Sequence, residues 1–210
     1  NPDVTLSINV DGTKSVISAA EASGVEKIIF ASSAAVYGDC EEIPISERAP
    51  LTPQSPYAVS KIVGEELLLR SEIDTCSLRF FNVYGPGQSS EGGYAAVIPA
   101  FKKAISLGKE CTIFGDGTQV RDFVHVQDLV RIIALCLETE NLPGEMNVAS
   151  GKGISLLELV GTLNQLNPEM HPPLFAEERA GDIHTSVADI SLLLSTLSVG
   201  EMITLKEGLS

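Results

Sequence analysis

The sequence predicts an α/β fold, on three observations. Stretches with helical apolar spacing alternate with short apolar runs that read as buried strands. Glycine and proline punctuate the boundaries between them. The composition, 44 % hydrophobic and 20 % charged with no low-complexity tract, is that of an ordinary globular chain. At 210 residues there is enough chain for roughly one large domain, or one and a half.

The elements follow in order. Val16, Ile17 and Ala20 give helical spacing from about Thr13 to Ser23, ending at Gly24. Lys27 to Ser32 reads as a buried strand. A proline-punctuated loop runs from Gly38 to Pro56. A helix then begins near Ser55-Pro56, with proline in the first turn, and reaches about Leu69. Thr75 to Phe81 is a second strand, Tyr94 to Leu107 a helix stopped by Gly108, and Phe123 to Val126 a short strand. Gln127 to Leu137 is a helix, Glu145 to Val148 a strand, and Ile154 to Leu166 an amphipathic helix. There is no internal repeat.

Charge and composition exclude several classes. The formal net charge is −14, and so acidic a surface repels nucleic acid and anionic membranes. A small phosphate-bearing ligand stays open, provided some of the 14 Lys and Arg build a local cationic pocket. Cys40, Cys76, Cys111 and Cys136 are far apart, with no CxxC and no nearby histidine. Disulfides and zinc are not expected, and a reducing cytoplasm is. His125, His171 and His184 are scattered, so no metal triad is expected. No apolar run approaches a membrane span, and Asn1-Pro2-Asp3-Val4 lacks the features of a signal peptide.

Four segments carry candidate chemistry. The strand from Phe30 ends in Ser32 and Ser33, and open α/β sheets bind ligands at the carboxyl ends of their strands. A serine that merely caps the strand end is the plainer reading. Tyr57 and Lys61 are four apart on a predicted helix and share a face. A phenol ionises near pH ~10; a neighbouring ammonium favours the phenolate and makes a general base for an alcohol proton. The alternative is an exposed aromatic beside a solvated lysine. Asn82 follows the second strand, where it can bond a ligand or close an Asx-turn. Arg121 follows the Gly115-Asp116-Gly117 turn; it can fork onto a pyrophosphate or pair with Asp122 or Asp116. No G-x-G-x-x-G and no P-loop pattern is present.

Order and spacing decide what the single segments do not. The stretches "SSAAVYGD", "TPQSPYAVSK", "LRFFNVYGPGQ", "AAVIPAF", "GDGTQVRDFVHVQDL" and "RAGDIHTSVADI" together resemble the extended short-chain dehydrogenase/reductases of the NAD-dependent epimerase/dehydratase family, from about Ile8 to Leu209. The resemblance implies a Rossmann-type parallel sheet lacking its first βαβ segment, plus a small α/β C-terminal substrate domain. Residues 1–80 and 123–149 correspond to the NAD-binding part, and 81–122 and 150–210 to the nucleotide-sugar part. About a third of the usual protein, with the glycine-rich turn, is then expected to lie upstream.

The resemblance also implies roles. Tyr57 takes a proton from a sugar hydroxyl while hydride passes to NAD. Lys61 depresses the phenol pKa and binds the nicotinamide ribose, and Ser33 bonds the reacting oxygen. Ser32, the less favoured candidate for that serine, is placed with Tyr57 and Lys61 on the cofactor side. Asn82, Arg121 and Arg179 match positions that hold the nucleotide-sugar, and Ser186 matches the side chain that limits the group at sugar C2. Similar dehydratases carry an acidic pair after the strand-end serine or threonine, and decarboxylases a glutamate; here the positions are Ala34 and Ala35. Alanine cannot shuttle the extra proton that water elimination needs. The expected activity is therefore NAD-dependent 4-epimerisation of a UDP-hexose (UDP-glucose/UDP-galactose, with the N-acetyl forms open), by a homodimer joined through two helices per subunit. The rivals are a nucleotide-sugar reductase or dehydratase, a non-catalytic relative, and an inactive fragment.

Overall fold

The computed structural model describes residues 2–90 and 96–210. The chain opens on helix: α1 (Pro2–Leu6), a π-helical turn (Ser7–Asp11) and α2 (Gly12–Ala22) follow without a break. The helix thus starts well before Thr13. A π-turn takes more residues than an α-turn, so the apolar spacing slips register across Ser7–Asp11 and the periodicity is legible only after it. Then come β1 (Lys27–Ser33), a 3₁₀ turn (Ala34–Tyr37), α3 (Pro56–Leu69), β2 (Asp74–Phe80) and β3 (Asn82–Tyr84). These are followed by α4 (Val97–Ser106), β4 (Thr112–Phe114), β5 (Val120–His125), α5 (Val126–Glu138), β6 (Glu145–Val148) and β7 (Gly153–Ser155). The chain closes with α6 (Leu156–Leu166), β8 (Leu174–Ala176), β9 (Thr185–Ser186), α7 (Ser191–Thr196) and α8 (Leu205–Leu209). The expected helix start at Tyr94 lies outside the described residues. Ile154, expected in a helix, is in β7; Ser155 then caps α6, accepting from the Glu158 amide while the Glu158 carboxylate accepts from the Ser155 amide.

Three sheets organise these elements. The first has order β1-β2-β6, all parallel, and its register aligns Ser33 with Phe80 and Phe80 with Val148. That row is the carboxyl edge of the sheet. The second has β5 between β3 and β7, with β9 also paired to β5; β3 and β9 run parallel to β5, and β7 antiparallel. β4 and β8 form a separate parallel pair.

Each group of strands has its own apolar packing. Leu78, Met146 and Val148 meet Ile132 and Cys136 of α5 and Leu193 of α7 behind the first sheet. Ile113, Phe123, Phe101, Leu159 and Leu163 fill the second core. A third, smaller cluster of Val36, Tyr37, Ile45, Phe81 and Ala188 lies around the strand ends. A fully buried leucine contributes about 1.5–3 kcal/mol, and the first two clusters hold Leu78, Leu193, Leu159 and Leu163 at 1 % exposure or less.

One buried carboxylate ties the groups together. Asp122 on β5 accepts from the Ser150 amide at 2.8 Å, the Ser150 hydroxyl at 2.7 Å, the Gly151 amide at 3.0 Å and the Ala188 amide at 3.3 Å. Burial pushes its carboxyl above the usual range, and these bonds pull it part of the way back. Asp122 is thereby committed to the fold, which removes it as a partner for Arg121. Among the described residues, no helix is long and apolar enough to cross a membrane.

Candidate active site

The first half of the site is built where α3 meets the end of β1. Ser55 caps α3, its hydroxyl accepting from the Ala58 amide at 3.1 Å, and Pro56 follows in the first turn. This start sets Tyr57 and Lys61 on one face. The Lys61 ammonium lies 5.4 Å from the centre of the Tyr57 ring and 5.1 Å from that of Phe30. It also donates to the Ala31 carbonyl of β1 at 2.9 Å. Gly64, one turn on, allows this approach: a Cβ there would stand 2.5 Å from the Phe30 ring. Burial lowers the Lys61 pKa from its ordinary value, because an ammonium loses hydration against the apolar strand. An ammonium carries three donors, so bonding Ala31 leaves it donors for ligand hydroxyls. Tyr57, 44 % exposed, keeps its phenol open to a ligand.

Ser33 is the last residue of β1 and begins the 3₁₀ turn, its Oγ accepting from the Ala35 amide at 3.2 Å. The plainer reading has it cap the strand end; it caps the 3₁₀ turn that follows, and its hydroxyl hydrogen is still there to donate. Ala34 and Ala35 form the turn itself, and α3 packs against it. Ser32 is placed differently. It is 2 % exposed, and its hydroxyl donates to the Glu65 carboxylate on α3.

A second group of candidates meets at a cavity of about 230 Å³ whose walls include Asn82, Arg121, Arg179, Asp182, Phe114 and Phe123, but not Ser33, Tyr57 or Lys61. It brings together three residues that are 97 positions apart at their extremes (82 and 179). The sequence left Arg121 a choice of Asp122 or Asp116 as a structural partner; its partner is Asp182, at 2.6 Å. A second guanidinium nitrogen donates to the Val120 carbonyl at 2.9 Å and the His184 carbonyl at 3.3 Å. Arg179 lies over the Phe114 ring, 3.9 Å from its centre. Asp182 therefore offsets one of the two positive charges expected here. Ser186 does not line this cavity, but the β5–β9 register sets it directly beside Arg121. Paired residues of adjacent strands project to the same face. A larger hollow, about 640 Å³, borders Gly85–Gln88, α4 and the last residues, and none of the expected site residues lines it.

Sequence reasoning passed over several supporting residues. Asn9, in the π-helical turn, donates to the Ser60 hydroxyl at 2.8 Å, which donates to the Tyr57 carbonyl at 2.7 Å. Nothing in the apolar pattern marks a π-turn. Glu65 and Arg79 were legible in principle: one is four residues after Lys61, the other is a charge inside an apolar strand.

Residues 1–149 match the model of the NAD dependent epimerase/dehydratase family. A UDP-glucose 4-epimerase of Mycolicibacterium smegmatis is 34 % identical, over 100 % of this chain and 68 % of its own length. The crystal structure of UDP-glucose 4-epimerase from Thermotoga maritima with UDP-glucose superposes with a TM-score of 0.93 at 30 % identity, covering 100 % of this chain and 69 % of that one. The UDP-N-acetylglucosamine 4-epimerase of Methanobrevibacter ruminantium M1, in complex with UDP-N-acetylmuramic acid, gives 0.90 at 34 % identity, covering 97 % and 68 %. The chain belongs to the NAD-dependent epimerase/dehydratase family. Its fold is the Rossmann-like α/β fold of those enzymes, and it spans about two thirds of their length.

Proposed function

We propose that the protein interconverts the C4 epimers of a UDP-hexose with NAD as the cofactor. The observation that carries this is the meeting of Tyr57, Lys61 and the end of β1, with alanine at 34 and 35. Tyr57 takes the C4 hydroxyl proton, and Ser33 donates to the same oxygen. Lys61 favours the phenolate through its charge and offers donors to the nicotinamide ribose. NAD supplies the hydride acceptor. With no acidic side chain in the turn after Ser33, no group there removes a second proton, so the keto-sugar would turn over, take the same hydride back on its other face and recover its proton from Tyr57. Asn82, Arg121 and Arg179 hold the nucleotide and diphosphate in the cavity, which keeps the sugar at Tyr57. In this reading, residues 1–80 and 123–149 serve the cofactor, and 81–122 and 150–210 the nucleotide-sugar. Ser32 is buried with its hydroxyl bonded to Glu65, so the cofactor contacts fall to Tyr57 and Lys61. The exposed Val16, Val59 and Leu69 on α2 and α3 suit a homodimer contact.

The test supplies UDP-glucose to the NAD-loaded protein and follows the sugar by proton NMR. UDP-galactose should accumulate to a fixed ratio, with no net oxidation or reduction of the cofactor pool. A dehydrated sugar, or lasting cofactor turnover, would replace the epimerase reading with a dehydratase or a reductase.

Ser186 bears on the sugar. A small side chain on the Arg121 face leaves room for an acetamido group at C2, whereas a phenol ring fills that volume, and packed interiors yield little. UDP-N-acetylglucosamine is then a substrate alongside UDP-glucose. Ser186→Tyr should abolish turnover of the acetamido sugar and spare the plain hexose. Equal loss on both sugars would remove Ser186 from the specificity argument.

A further inference from the structure

A buried polar cluster beneath the strand ends has no part in the proposed chemistry. At its centre is Arg79 on β2, 4 % exposed. Its Nε donates to Glu65 Oε1 at 3.1 Å and its Nη2 to Glu65 Oε2 at 2.7 Å. Its Nη1 donates to the Tyr37 hydroxyl and to the Glu47 carbonyl, both at 3.0 Å. Tyr37 donates onward to Asn147 Oδ1 on β6 at 2.7 Å. The Ser32 hydroxyl reaches the same Glu65 carboxylate from β1. One guanidinium thus collects α3, the 3₁₀ turn and the loop after it, and through them the ends of β1 and β6.

A buried ion pair is a poor source of net stability, since the desolvation of both charges offsets most of their attraction. What a two-pronged arginine–carboxylate pair does supply is a single allowed geometry. Here that geometry falls on the neighbours of the reacting groups. Glu65 is one helical turn beyond Lys61, on the same face. Ser32 immediately precedes Ser33, and Tyr37 ends the turn that Ser33 begins. α3 is therefore pinned to the end of β1 at two levels, by Lys61 on Ala31 and by Glu65 on Ser32.

We propose that Glu65 and Arg79 are a positioning pair: they set the height of α3 against β1, and with it the approach of the Tyr57 phenol to the Ser33 hydroxyl. The proposal rests on the reading of Tyr57, Lys61 and Ser33 as the reacting set. A misplacement of about 1 Å in such a set costs on the order of 10²-fold in rate, whereas substrate held by Asn82, Arg121 and Arg179 keeps its affinity.

The test compares the NAD-loaded parent with Glu65→Leu/Arg79→Met, an apolar pair that keeps side-chain bulk and leaves no charge unpaired. The double variant should hold its melting temperature to within about 5 °C. Its kcat should fall at least about tenfold, with KM changed by less than about threefold. A kcat within about twofold of the parent, or a loss confined to KM, overturns the proposal. If the double variant does not fold, Ser32→Ala decides. It removes one link and no charge, and at parental melting temperature its kcat should drop about threefold or more at unchanged KM; parental kcat overturns the proposal. Tyr57→Phe is measured alongside. If it retains turnover, the reacting set is wrong; if it is inactive while the double variant keeps parental kcat, only the positioning pair is.

Discussion

Tyr57→Phe should lower epimer interconversion by about 10²–10⁴-fold, the range that a positioned general base contributes. The change removes one oxygen and little else. Tyr57 is 44 % exposed in the first turn of α3, so the fold loses no buried contact with the hydroxyl. Ser55 still caps the helix, and Lys61 still bonds the Ala31 carbonyl. Surface substitutions of this kind change stability by about 0.5 kcal/mol or less, so the melting temperature should hold. Loss of rate without loss of fold is the signature of chemistry. The check is the NMR assay with UDP-glucose, run beside thermal unfolding of the same preparation. Interconversion within about tenfold of the parent would show that another group takes the proton.

The second large effect is on stability. Gly38 ends the 3₁₀ turn with φ 60° and ψ −141°, a region that side chains other than glycine avoid. A Cβ there would stand 2.0 Å from the Thr52 carbonyl oxygen and 2.9 Å from its hydroxyl oxygen. The Thr52 hydroxyl in turn donates to the Tyr37 carbonyl, so the two segments cannot separate without breaking that bond. Gly38→Ala should cost about 3 kcal/mol or more, combining backbone strain with the clash. For a chain of this size that is a fall of roughly 6–12 °C in melting temperature. A scan that moves by less than about 2 °C would mean that the loop at Thr52 yields freely.

The fold was legible wherever period and punctuation agreed. α3 and β6 fall on their expected bounds, Pro56–Leu69 and Glu145–Val148, because a proline start and a short apolar run leave few alternatives. β3, β4, β8 and β9 were not legible. They have two or three residues each, too few for a period, and only partners distant in sequence make them strands. The pairing of Tyr57 with Lys61 followed from helical spacing alone. The cavity did not, since its two arginines lie 58 positions apart (121 and 179) and are brought to one wall by the fold. Asp182 shows the limit best. Its contact with Arg121 spans 61 positions, and the sequence offered nearer carboxylates, of which Asp122 is taken up by backbone amides.

The ion pair between Arg121 and Asp182 also bears on how a ligand arrives. These 210 residues carry a net charge of −14, and the one guanidinium bonded to a carboxylate at the cavity wall projects little field into solvent. Under the proposed function, a doubly charged diphosphate would approach against the net negative charge of these residues and be gripped at contact by Arg121 and Arg179. Capture should be slower than the diffusional encounter of opposite charges, and added salt, by screening the repulsion, should hasten it. In such a site an arginine aims the ligand rather than attracting it.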